Sequence, residues 1–134
     1  CHCGLLKFEA EGELEQVIDC NCSHCSRKGF LLWFVPRAQL KITSGEGKST
    51  VYKFNKHKIE HHFCPTCGCQ TFGFAKDKEG KEMAAVNART LENVDRAALK
   101  KYPYDGKSVY KSALRKSWPR SCSQDLRIAD RLAR

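Results

Sequence analysis

The chain has 134 residues, of which 41% are hydrophobic and 29% charged, with nine cysteines and a formal net charge of +9. That length sets a single main domain, and no apolar run approaches the ~18 residues of a spanning helix, so no membrane partner is expected. Residues 111–134 hold seven Lys/Arg against two Asp, which puts +5 there and only +4 on the first 110, so nucleic acid is not expected as a partner either.

In chain order, Cys1-His2-Cys3-Gly4 reads as a turn offering two thiolates from one knuckle, with Gly4 giving the chain room to bend round a metal. Leu6, Phe8 and Ala10 alternate with charged residues. After Gly12, Leu14, Gln16 and Ile18 alternate with Glu13, Glu15 and Val17, and the pattern predicts two antiparallel strands joined by a tight turn. Next comes Cys20-Asn21-Cys22-Ser23-His24-Cys25. Ser23 is expected to cap a short helical turn through Lys28 that Gly29 ends, with backbone N–H groups near the thiolates. Residues 30–35 (FLLWFV) read as a buried strand, with Trp33 and Phe34 in the core. Residues 40–43 are a short strand before a Ser/Gly turn, and residues 50–55 and 58–63 predict a hairpin across Lys56-His57.

Cys64-Pro65-Thr66-Cys67-Gly68 is a zinc knuckle, in which Gly68 lets the turn tighten. Residues 71–75 and 83–88 read as strands. Asn93 is expected to cap a helix running through Leu99, and residues 102–106 (YPYDG) to form a turn. From Lys111 the chain is rich in Arg and Ser, weakly patterned, and holds Cys122 far from any partner. The expected division is therefore a zinc-binding β domain over 1–110 and a basic tail over 111–134, disordered or vector-derived.

The close pairs and triplet have the spacing of metal ligands rather than of disulfides, because vicinal C-x-C bridges are strained and structural bridges join distant segments. Such thiolates belong in a reducing compartment, most simply the cytoplasm. The economical pairing joins Cys1 and Cys3 to Cys64 and Cys67 in a closed four-cysteine site. Cys20, Cys22 and Cys25 then keep an ion of their own, with one tetrahedral position open. This makes two Zn²⁺ per chain, one structural and one catalytic. An exogenous thiol would take the open position with a lowered pKa and add to a small electrophile. His24 is the alternative fourth ligand, although it falls between two ligands. Cys69 reads as a small buried residue or spare thiol, His2 as an exposed turn residue, and His57, His61 and His62 as flanking a strand. Arg27, Lys28, Arg37 and Lys41 read as solvated surface, with Arg27 the first candidate to bind the carboxylates of a thiol cofactor.

Taken together, Cys1-Cys3-Gly4, Cys20-Cys22-Ser23-Cys25-Arg27, Phe63-Cys64-Cys67-Gly68, Asn87-Thr90-Leu91 and Asp105-Gly106-Lys107 resemble the glutathione-dependent formaldehyde-activating family over residues 1–110. The resemblance implies a mainly β fold, a folded tent of antiparallel sheets with zinc knuckles and few short helices. It implies a structural zinc at Cys1, Cys3, Cys64 and Cys67 and a catalytic zinc at Cys20, Cys22 and Cys25. The implied reaction is addition of the glutathione thiol to formaldehyde, giving S-hydroxymethylglutathione, by a carbon–sulfur lyase. The chain departs from the family at Cys69, where a small hydroxyl residue is expected. The family also resembles a domain of centromere protein V, a chromatin-associated protein. A non-catalytic zinc module for nucleic acid or protein is therefore the second reading, and a redox-sensing zinc thiolate the third.

Overall fold

The computed structural model describes residues 1–109. The basic tail, including Cys122, lies outside the described residues. Within them the chain is mainly β: β1 (Lys7–Ala10), β2 (Gln16–Cys20), helix α1 (Ser23–Lys28), β3 (Leu32–Pro36), β4 (Leu40–Ser44), β5 (Thr50–Tyr52), β6 (Glu60–Phe63), β7 (Gln70–Lys76), β8 (Glu82–Asn87) and β9 (Lys100–Tyr104). Seven strands form one sheet in the order β5-β6-β7-β8-β3-β2-β9, and β1 with β4 forms a separate two-stranded ribbon. Every pairing is antiparallel except that of β2 with β9, which is parallel.

The ribbon covers one face of the sheet. Phe8, Ala10, Leu40 and Ile42 from the ribbon pack on Val17, Trp33, Val35, Phe72 and Val86 from the sheet. The Phe8 ring meets Phe72 edge-on, with centroids 5.4 Å apart. Burying each such side chain contributes about 1.5–3 kcal/mol, which makes this face the folding core.

Strand register decides what the other face carries, because neighbouring residues of a strand point to opposite sides. His62, Phe72, Val86 and Trp33 lie opposite one another in a row on the core face. The adjacent row is Tyr52, His61, Gly73, Ala85 and Phe34, and it belongs to the far face. Its two central residues are small, so that face is hollow between His61 and Phe34. Phe34 is therefore not in the core: it is 49% exposed, while Trp33 beside it is buried.

Three other expectations are corrected. β1 and β2 do not form a hairpin. Val17 is buried in the core while Ile18 packs on the opposite side, so β2 hides both faces and needs a place inside a sheet. The chain leaves β1 by bonding the Glu11 N–H to the Gln39 carbonyl instead. No helix follows Asn93, which sits at φ 56°. Asp95 turns the chain there, its carboxylate accepting from the Ala97 N–H and its carbonyl from the Ala98 N–H. This delivers buried Leu99 to the core and starts β9. Residues 102–104 are thus strand rather than turn, and Pro103 is tolerated because β9 is an edge strand among the described residues.

Candidate metal centres

Two cysteine clusters form. In the first, the sulfurs of Cys1, Cys3, Cys64 and Cys67 all lie within 4.8 Å of one another. Cys1 Sγ is 3.7 Å from Cys3 Sγ, which is 3.5 Å from Cys64 Sγ. The N-terminal turn closes with the Gly4 N–H on the Cys1 carbonyl, and the knuckle between β6 and β7 with the Gly68 N–H on the Cys64 carbonyl. Gly68 takes φ 69°, which a side chain would strain. The Leu6 N–H donates to Cys1 Sγ at 3.1 Å. The Cys67 thiol is drawn down to about 6 by the backbone N–H groups of Cys3 and Cys69. This is a set of donors suited to a closed four-thiolate ion.

The second cluster sits on the far face of the sheet, where β2 runs into α1. The sulfurs of Cys20, Cys22 and Cys25 lie within 4.8 Å of one another and all three residues are buried. Among the described residues no fourth Cys, His, Asp or Glu joins them. Cys22, not Ser23, caps the helix: its sulfur accepts the Cys25 N–H at 3.4 Å. The Cys22 N–H in turn donates to Cys20 Sγ at 3.5 Å. Gly29 ends the helix in the left-handed conformation, as the sequence predicts. From the other side Gly106 packs so closely that a Cβ there would stand 2.6 Å from Cys20 Sγ.

These thiols push one another apart in acidity. Burial drives Cys25 far up, and the charge of Cys22 and Cys20 adds to it. Burial likewise raises Cys20. Cys22 goes the other way: burial alone would raise it, but the N–H groups of Cys25 and His24 and the neighbouring sulfurs hold it below its ordinary value. Three thiolates at this spacing ionise together only around a cation, so the donor set fits a zinc ion. Both clusters are thus compatible with zinc, and no disulfide joins any described cysteine.

The second cluster forms one wall of a pocket of about 130 Å³. Leu32, Phe34, Ala85 and Gly73 from the sheet and Phe54 and Ile59 from the β5–β6 connection complete it, with His24, His61 and Gln70 at its side. His24 stacks among Phe30, Tyr52, Phe54 and His61, and its ring centroid is 4.3 Å from that of His61. His24 is therefore part of the pocket and not of the sulfur cluster. A larger surface groove of about 310 Å³, lined by Arg37, Lys58, Glu60 and Lys76 among others, holds no cysteine.

The remaining candidates fall around these sites. Arg27 is exposed and donates from Nη1 to the Ser23 carbonyl on its own helix. Lys28 lies over the Phe30 and Phe63 rings and donates to Gln70 Oε1 at 3.0 Å, at the side of the pocket. Cys69 stays outside both clusters and accepts the Cys64 N–H with its carbonyl. His2 and His57 are exposed. Arg37 stacks on Phe74 rather than standing free in solvent. Sequence reasoning did not assign Phe34, His61, Ala85 or Gly106 to the site. Of these only Gly106 carried a signal, as the centre of the Asp105-Gly106-Lys107 motif.

The sequence pattern of the glutathione-dependent formaldehyde-activating enzyme family matches residues 1–105. The structure is similar to the crystal structure of a Rhodobacter sphaeroides protein, a structural genomics target, with a TM-score of 0.66 and 30% sequence identity. That match covers 77% of this chain and 94% of the other. No helix among the described residues is long and apolar enough to cross a membrane.

Proposed function

Because the chain belongs to the glutathione-dependent formaldehyde-activating family, we propose that it is a zinc-dependent carbon–sulfur lyase joining a small-molecule thiol, glutathione or a relative, to a small aldehyde. The observation that carries this reading is the set of three buried sulfurs, with no fourth ligand from the described chain, opening into a pocket. A zinc ion held by three thiolates takes a fourth ligand from outside and lowers the pKa of a thiol bound there.

Cys20, Cys22 and Cys25 would hold that ion, and the Cys22 and Cys25 N–H groups fix two of the sulfurs. Arg27, with Lys28 beside it, would receive the carboxylates of the thiol. The apolar walls exclude water from the reacting atoms. In the reaction the thiol sulfur bonds to the carbonyl carbon, the C=O π pair moves onto oxygen, and that oxygen ends with the thiol proton. No oxidant or reductant enters. Cys1, Cys3, Cys64 and Cys67 would hold a second, structural zinc. Residues 1–110 make up the working domain, the tail takes no part, and the setting is the reducing cytoplasm.

The test is the rate of adduct formation and exchange between glutathione and formaldehyde, followed by NMR with and without the zinc-loaded protein. A rate above the spontaneous one, lost in Cys22→Ser while the fold persists, is expected. The same rate with and without protein, across a panel of thiols and aldehydes, would contradict the reading.

A further inference from the structure

We infer that the pocket beside Cys20, Cys22 and Cys25 selects an aldehyde carrying an aromatic ring or a branched hydrocarbon rather than formaldehyde. The hydrocarbon would rest on Phe34, Phe54 and Ile59, and the oxygen on the imidazoles of His24 and His61. The inference depends on the thiol–aldehyde reading above and names its electrophile.

Size is the first support. The pocket holds about 130 Å³. A cavity of ~150 Å³ with aliphatic and aromatic walls stays dry and takes benzene, whereas one water occupies ~30 Å³ of liquid. Formaldehyde has two heavy atoms and, beside the thiol sulfur that the reading above places at the cysteine wall, would leave the end of the pocket at Phe34, Phe54 and Ile59 unfilled. The walls are the second support: among the described residues no Lys, Arg, Asp or Glu lines the pocket, and its surface is chiefly carbon. Apolar pockets with a few convergent polar groups are the usual form of a small-molecule site.

The hollow is also built into the register. Gly73 and Ala85 lie directly opposite each other on neighbouring strands, between His61 on one side and Phe34 on the other. A Cβ at Gly73 would stand 3.0 Å from the Glu60 carbonyl oxygen, so that position is held small by its own neighbouring strand, whereas a larger residue at Ala85 would fill the space from the face opposite the core.

The histidines are the third support. Both ring nitrogens of His24 and Nε2 of His61 are buried with no protein partner. The other His61 nitrogen faces the Gln70 amide at 3.4 Å. Buried polar atoms are paired as a rule, and these lie on the two imidazoles that flank the pocket, where a small turn of either ring would offer a nitrogen to a ligand atom. A neutral imidazole N–H donating to a carbonyl or hydroxyl oxygen meets that need, and the carbonyl oxygen is the only polar atom a hydrocarbon aldehyde brings.

The experiment uses benzyl alcohol, a ring with one hydroxyl that cannot react with a thiol. The zinc-loaded full-length chain is titrated with it, and with methanol as the small comparison, while amide shifts are followed by NMR. The expected result is saturable shifts centred on Gly73, Ala75 and Ala85, with benzyl alcohol at least about tenfold tighter than methanol. Ala85→Leu should weaken it by a further ~10-fold or more. Shifts that are absent, scattered over the surface, or equal for the two alcohols would overturn the inference, whether or not Ala85→Leu folds. Formaldehyde turnover without benzyl alcohol binding removes this inference and leaves the thiol–aldehyde reading standing. Binding in the pocket with no thiol addition to benzaldehyde or formaldehyde supports the apolar ligand site and removes the reaction.

Discussion

Gly106 shows how much of the second cysteine cluster depends on single residues. Asn21 ties its turn down by donating to Asp105 Oδ1 at 2.9 Å and accepting the Lys107 N–H at 2.8 Å. The turn thereby lies against Cys20, and a Cβ on Gly106 would meet Cys20 Sγ at 2.6 Å and Cys22 Cβ at 3.0 Å. Neither neighbour yields easily, since both belong to buried residues. Gly106→Ala should therefore move Cys20 and lower zinc retention at this centre by about 10–100-fold, the range seen when groups supporting metal ligands are altered. Competition with a chelator would measure it. Retention of both ions as in the parent chain would contradict the packing described.

At the level of elements, β6 carries His61 on the pocket face and His62 on the core face. Burial, followed by the nearby His24 and Lys28, draws His61 down to about 4. Burial also lowers His62, against the pull of Glu60. The unfolded chain takes up a proton on such a residue near pH 6.5, and the folded chain refuses it until about pH 4. Stability from neutral His61 is thus complete above pH 6.5 and lost as pH falls toward 4. His61→Phe should flatten the fall of the urea midpoint across that range relative to the parent chain. Acid release of zinc acts on both chains and cancels in the difference, so parallel curves would contradict the burial of His61.

The cysteine clusters were legible because each half-site is local: C-x-C, C-x-C-x-x-C and C-x-x-C fix their sulfurs within one turn. Most strands were legible from alternation. The pocket was not, because its row of Tyr52, His61, Gly73, Ala85 and Phe34 exists only once five strands have chosen their register. The same holds for β2, whose apolar Val17-Ile18 pair fits either phase until the sheet buries both sides. β9 was read as a turn because its parallel partner lies more than 80 residues away.

Across the whole molecule, the first cluster joins the N-terminal turn to the knuckle between β6 and β7, some 60 residues distant in sequence. A structural zinc there would contribute folding free energy on the order of 10 kcal/mol. The second cluster lies on the opposite side of the sheet from the core and clamps only β2 to α1. Loss of one centre should accordingly unfold the protein, and loss of the other should leave it folded and inactive. Metal content measured by mass spectrometry beside far-UV circular dichroism, for the parent chain, Cys22→Ser and Cys64→Ser, tests this division most directly. Two zincs in the parent, one in a folded Cys22→Ser, and an unfolded Cys64→Ser are expected. Unfolding of both variants alike, or a single zinc in a fully loaded parent chain, would contradict it.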